Sequence, residues 1–364
     1  MSVIFFIERV YLGYDYFYNK NFSAHAVLAH EETSDASFGS VTANYAYQRI
    51  MYLKYANIEW RNIFKGSKLS VGLITTPSFA ITEEPFWGYR SLDRTIMDMK
   101  GITGSNDFGA SLGGKLRSQK DENGMEKACV GYNIMVGNST GAIPINTGIT
   151  ADYTIWKKYY GDLYVKMLND KLVLDLYGDG HTFQWTPFHA YELTERVFLG
   201  YKTKNFNIGA EYFQQVLYNE TYIPSVALAP TSGIPIGGDT LQNTTESGFS
   251  VFGAAVLMRD KNTGDPKLTL VARYDMFNPF VNFSPTAPYQ GLTVNSQPVY
   301  TFGNQAKESY YDIGLDYQPI KQVHFMPNIW YDGITDQDNN LTPLEKFDYD
   351  MVIRITFYYQ FFKN

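Results

Sequence analysis

The carboxy-terminal stretch Asp348-Tyr-Asp-Met-Val-Ile-Arg-Ile-Thr-Phe-Tyr-Tyr-Gln-Phe361 sorts its side chains by parity. Tyr349, Met351, Ile353, Ile355, Phe357, Tyr359 and Phe361 fall on one face, and Asp348, Asp350, Arg354, Thr356 and Gln360 fall on the other, with Val352 interrupting the polar row. A strand points successive side chains to opposite sides, so this one meets a greasy environment on one face and an aqueous one on the other. Lipid outside and water inside fit that division. Taken alone, the segment would also fit the edge of a soluble sandwich. Repetition decides between them.

Segments of the same kind recur near residues 4–16, 22–31, 48–62, 67–76, 106–118, 127–138, 158–168, 171–180, 195–203, 206–217, 249–260, 267–278, 307–319, 322–333 and 347–361. Most are close to the roughly 9 to 11 residues that a tilted strand needs to cross a bilayer. The connections Tyr18–Asn21, Ile63–Gly66, Gln119–Glu126, Asn169–Asp170, Lys204–Asn205, Lys261–Pro266 and Ile320–Lys321 are short, and the links between them are mostly long. Short turns at one end and long loops at the other are the habit of outer-membrane barrels. The expected fold is therefore all-β: a transmembrane antiparallel β-barrel of about 16 strands, forming a single domain over 1–364. Only about fifteen strands are visible. Counting back from a last strand that runs toward the periplasm, the first visible strand also runs that way, whereas single-chain bacterial barrels have even strand numbers. A strand and a cleaved secretion signal upstream of residue 4 are therefore expected, since Met1–Val10 has no basic start and carries Glu8 and Arg9 within its apolar run.

Composition agrees with a barrel. Aromatic residues make up 16% of the chain, with 30 Tyr and 25 Phe, in keeping with interfacial girdles. Mean hydropathy is -0.26, and no stretch approaches the roughly 18 to 20 consecutive apolar residues of a spanning helix. One cysteine, Cys129, excludes an internal disulfide framework. The net charge of -7 is mild and gives no basic footprint for nucleic acid.

A resemblance enters over residues 52–137. Tyr52-Leu-Lys-Tyr-Ala-Asn-Ile-Glu-Trp60, Lys68-Leu-Ser-Val-Gly-Leu-Ile-Thr-Thr-Pro77 and Asn106-Asp-Phe-Gly-Ala-Ser-Leu-Gly-Gly-Lys115 follow in order, supported by Tyr132-Asn133, Arg273-Tyr274-Asp275 and Pro327-Asn328. The series resembles the phosphate-selective porins of the outer membrane. In that family a Leu-Lys-Asp-Ala strand, a strand ending Gly-Gln-Phe-Lys-Thr-Pro, a long inward loop and an Arg-Asp-Ile-Gly-type strand succeed one another. The second motif stands here as Gly72-Leu73-Ile74-Thr75-Thr76-Pro77, without the lysine. The resemblance implies a homotrimer in the outer membrane of a Gram-negative bacterium. Lipid and lipopolysaccharide would surround it, and the loop after that strand would fold into the pore.

That loop, about 78–105, is where selectivity is expected. It carries Glu83, Glu84, Trp87, Tyr89, Arg90, Asp93, Arg94, Asp98 and Lys100, and Leu92, Ile96 and Met99 stand at roughly helical spacing within Arg90–Lys100. Opposite charges across a constriction create a transverse field that screens solutes. The alternative is an external loop with ordinary surface charges. Strand parity places Arg9, Arg61, Lys115, Arg117, Lys166, Arg196, Lys202, Arg259, Arg273 and Arg354 in the lumen. It places Asp15, Glu59, Asp162, Asp175, Glu211, Asp275, Asp312, Asp316 and Asp332 there too. Neither sign dominates. Arg90 and Arg94 from the loop, with Lys115 and Arg273 from the wall, form the expected basic side of an eyelet, and Glu83, Glu84, Asp93 and Asp98 face them with Lys100 nearby.

None of the five histidines, His25, His30, His181, His189 and His324, stands in a serine-hydrolase or zinc spacing. No catalytic residue, metal or cofactor is expected, and Cys129 reads as a quiet thiol. Asp336-Gln-Asp338-Asn-Asn340 with Glu345 imitates a calcium loop but lacks the spacing and central glycine. The chain thus reads as a passive channel for small hydrophilic solutes or ions. A specific phosphate or oxyanion channel and a structural or adhesive barrel with partner-binding loops are the alternatives.

Overall fold

The computed structural model describes residues 7–31, 51–120, 126–139, 157–185, 188–223, 240–281, 292–294, 297–299, 306–337 and 347–361. Fifteen strands form one antiparallel sheet in chain order. They are β1 (Arg9–Phe17), β2 (Phe22–Glu31), β3 (Tyr52–Arg61), β4 (Ser67–Thr75), β5 (Asn106–Lys120), β6 (Glu126–Gly137), β7 (Lys158–Met167), β8 (Leu172–Trp185), β9 (Phe188–Lys202), β10 (Phe206–Ile223), β11 (Thr240–Arg259), β12 (Pro266–Asn278), β15 (Lys307–Ile320), β16 (Val323–Thr335) and β17 (Phe347–Tyr359). A separate small hairpin pairs β13 (Leu292–Val294) with β14 (Gln297–Val299).

Each expected segment is a strand, but several strands reach further than their alternation does. The link expected between residues 180 and 195 is instead the tip of a hairpin, with β8 and β9 paired as far as Trp185 and Phe188. The β10–β11 ladder likewise continues to Ile223 and Thr240. Beyond the bilayer both faces of a strand meet water, so the apolar alternation fades while the backbone pairing persists. The wall is uneven as a result: β1 to β4 have 9 or 10 residues, while β10 and β11 have 18 and 20.

The sheet is wrapped around the segment 78–105, which touches β1, β2, β6 to β12 and β15 to β17 from inside. A sheet that reaches one central segment from all these strands has curled into a barrel. β1 and β17, first and fifteenth in an antiparallel order, run in the same direction, and no ladder joins them among the described residues.

Outward parities are apolar and exposed, as Leu12 (67%), Ile58 (61%) and Phe357 (74%) illustrate. Aromatic rings gather toward both rims. Tyr274, Tyr311, Tyr331 and Tyr349 follow one another across β12 and β15 to β17 at centroid separations of 4.8, 6.1 and 5.6 Å. At the turn end Phe22 stacks on Trp60 at 5.4 Å, and Phe325 meets Phe357 at 4.8 Å. Along β17 the two belts lie eight to ten residues apart, or about 20–25 Å of tilted strand, the height of a lipid-facing band.

Gly72 in β4 has φ +126°, and a Cβ there would lie 2.3 Å from the Ala56 carbonyl oxygen of β3. Only glycine takes this backbone without strain. Gly72→Ala is expected to cost at least about 1–2 kcal/mol. The loss is read as a lower urea midpoint of the heat-modifiable folded form, with Gly178→Ala on β8, where an added Cβ meets nothing closer than 3.5 Å, as a comparison.

Candidate functional site

The ends of the loop are clasped before it enters the lumen. Thr76 donates its hydroxyl to the Gly104 carbonyl at 2.6 Å, and its backbone N–H bonds Ser105 O at 3.2 Å. Between them lie α1 (Glu83–Trp87), ended by Gly88 at φ 74°, and α2 (Ile96–Met99). The spacing of Leu92, Ile96 and Met99 predicted one helix over 90–100, and the structure forms only its last turn. The reason lies in the carbonyls. Those of Arg90, Leu92, Asp93 and Arg94 accept from the side chains of Arg9, Arg354, Trp87 and Arg273 respectively, three of them on the barrel wall. Wall side chains have taken the acceptors that a helix would need.

The loop has two chemically different faces. On one, Phe79, Ile96, Met97 and Ile102 bury themselves against Met135, Tyr160, Tyr177, Phe213 and Phe277, which all point into the lumen. Beside them Phe86, Trp87 and Leu92 pack on Phe198, Phe252, Val271 and Met326. Trp87 lies 4.9 Å from the Phe252 ring centroid, and Phe86 meets Phe198 edge-on at 5.3 Å. Glycine on the inner wall makes room for these rings: a Cβ at Gly200 would sit 2.6 Å from Phe86, and one at Gly248 would sit 3.0 Å from Ile96. Polar anchors complete the docking. Asn207 donates to Phe86 O at 2.9 Å, Gln215 to Ile102 O at 3.2 Å, and Lys100 pairs with Glu308. These wall aromatics were missed in the sequence, although Phe198, Phe213, Phe252 and Phe277 share the parity of Arg196, Glu211, Ser250 and Asp275. An aromatic residue in a polar row was the available signal.

The other face is charged and turns toward β1, β2, β3 and β17. Arg90 pairs with Glu84 and Asp98 and lies 3.7 Å from Glu31, which Lys54 holds at 2.7 Å. Asp93 accepts from the Tyr310 hydroxyl and lies 3.7 Å from Arg354. Burial pushes the Glu84 carboxyl upward, and Arg90 pulls it back. Arg94 makes no side-chain hydrogen bond or ion pair among the described residues and feels Glu8 only at longer range. Arg9, Lys54, Arg90, Arg94 and Arg354 thus face Glu8, Glu31, Glu84, Asp93 and Asp98.

The predicted site residues therefore separate into groups. Glu84, Arg90, Asp93, Arg94 and Asp98 come together on the charged face. Lys100 reaches β15. Glu83 and Arg273 are buried and both hold the loop to the wall, Glu83 through Arg196 at 3.1 Å and Arg273, paired with Asp275 on its own strand, by donating to the Arg94 carbonyl. Lys115 is exposed beside Gly66 at the turn end of β5, nine residues or about 30 Å of strand from where the loop rejoins it. Cys129 is buried, and no group of metal-ligating side chains occurs among the described residues. Residues 338–346, most of the calcium-like stretch, lie outside the described residues.

A search of solved structures finds the same architecture. OprB of Pseudomonas putida superimposes with a TM-score of 0.56 at 9% identity, over 96% of this chain and 87% of the other. The outer membrane channel DcaP of Acinetobacter baumannii gives 0.55 at 9% identity, over 96% and 84%. An anion-selective porin from Comamonas acidovorans gives 0.54 at 8%, over 96% and 88%. The fold is that of an outer-membrane porin. No family model matches the chain, and no curated protein sequence matches it significantly. In this chain the segment 78–105 lies inside that barrel, packed on lumen-facing side chains of β6 to β12 and β16.

Trp87→Ala removes the largest buried side chain of that loop, at an expected cost of about 3–5 kcal/mol. Hydrogen exchange of the folded protein should show residues 78–105 losing protection while β15 to β17 keep theirs.

Proposed function

We propose that the protein is a passive outer-membrane diffusion channel for small hydrophilic solutes and ions, with the inward loop 78–105 setting its size limit and charge preference. The observation that carries this reading is the two-faced loop. Its apolar face is committed to the β6–β12 and β16 wall, and its charged face is left toward β1 to β3 and β17. A solute path along the charged side would be lined by polar groups, as an aqueous pore requires. Homotrimeric assembly among outer-membrane lipid and lipopolysaccharide, implied by the sequence resemblance, is part of the same proposal.

Selectivity is read as weak. A dedicated anion filter carries an excess of Arg or Lys, and here Arg90 and Lys100 of the loop and Lys54, Arg273 and Arg354 of the wall beside it each have a carboxylate partner. Arg94 is the exception on the loop. It favours the specific oxyanion channel as a second reading, which the missing lysine of the Gly72–Pro77 strand opposes.

Single-channel recording in planar bilayers tests the proposal. Stable open steps are expected, with a reversal potential near zero under a salt gradient and no phosphate block of chloride current. Strong anion preference with block at low phosphate would establish the oxyanion channel instead, and folded protein without conductance would leave a structural or adhesive barrel. Arg94→Glu should move the reversal potential toward cation preference. One reversed charge near the path is worth about 1 kcal/mol, a severalfold change in permeability ratio.

A further inference from the structure

Where α1 lands on the wall, four buried carboxyl groups surround one guanidinium. Glu83 of the loop, Asp162 of β7, Asp175 of β8 and Glu211 of β10 lie around Arg196 of β9, and none of the five is more than 5% exposed. Arg196 donates one nitrogen to Glu83 at 3.1 Å and another to Asp175 at 2.5 Å. The carboxyl of Glu83 meets that of Glu211, and the carboxyl of Asp162 meets that of Asp175, with Asn133 donating to Asp162 at 2.7 Å. Beyond the Glu83 contact, neither oxygen of Glu211 receives a donor among the described residues. Other charges nearby are already committed: Arg273 of β12 is engaged by Asp275, and Glu84 turns away to Arg90. β11 presents only the uncharged Ser250 opposite Glu211.

Carboxylates accept hydrogen bonds and donate none, so two of them in contact need a proton between them. Like charges packed together out of water cannot both ionise, and one arginine cannot neutralise four acids. We propose that the inward loop is latched by a proton shared between Glu83 and Glu211, so that its docking weakens as pH rises.

The sign follows from proton linkage. Burial pushes the Glu83 carboxyl up, whereas an undocked Glu83 meets water and ionises in the ordinary carboxylate range. The docked state therefore holds more protons. Docking is strongest below that range, and each retained proton raises the undocking constant by up to tenfold per pH unit above it, until the docked pair itself ionises. The latch concerns the loop and the wall alone and stands whether or not the barrel conducts.

Hydrogen exchange of residues 78–105 in the folded, detergent-solubilised protein, corrected for intrinsic rates between pH 5 and 9, tests it without any current. Protection of the loop should fall by up to tenfold per pH unit while β15 to β17 remain protected. Glu211→Gln supplies a permanent amide donor to Glu83 and should flatten the dependence, and Glu83→Gln should do so from the other side if the first variant fails to fold. Loop protection independent of pH in the unmodified protein would overturn the latch. So would a dependence that persists in the glutamine variant, or one shared equally by β15 to β17.

Discussion

Everything in this molecule depends on the need to satisfy backbone N–H and C=O groups where no water can reach them. In lipid an unpaired peptide group costs several kcal/mol, so strands persist there by pairing their backbones with neighbours. The meander from β1 to β17 meets this need with ladders between consecutive strands, and their pairing leaves the side chains free to divide between lipid and lumen. That division permits a lumen containing both an aromatic patch and a charged one. Neither contributes to spanning the membrane, so each can serve the loop.

The loop solves a second problem with the same chemistry. A segment of 28 residues threaded into a water-filled barrel loses conformational freedom and needs compensation from its surroundings. Here that comes from two apolar clusters on one side and from wall side chains that reach its carbonyls on the other. Where Arg273 and Arg354 donate to the loop backbone, they do the work of helical hydrogen bonds, which is why the chain between α1 and α2 is irregular. Several wall arginines are thus structural first, and the charge available to a passing solute is smaller than the sequence inventory suggests.

Much of the barrel was legible because its signal is local. The period-two alternation located every strand of the sheet, and the short turns located one rim, with Leu168, Asn169 and Asp170 taking positive φ in the β7–β8 turn. Strand ends were less legible. β8 to β11 continue past the bilayer, where water on both sides removes the apolar signal but not the pairing. The loop was legible as an element and as a collection of charges. Which charges are buried was not: Glu83 and Glu84 are adjacent in sequence, yet one faces Arg196 in the wall and the other faces Arg90.

The sequence by itself determined the fold class, the strand order and the side that each strand turns to lipid, because these follow from the parity of neighbouring residues and the length of the links between them. Only the tertiary structure decided how the lumen is filled. Arg196 and Glu83 are 113 positions apart, and Arg354 and the Leu92 carbonyl are 262 apart. Closing the sheet on itself brings such residues together, and no periodicity within a strand specifies which side chains will meet across the barrel.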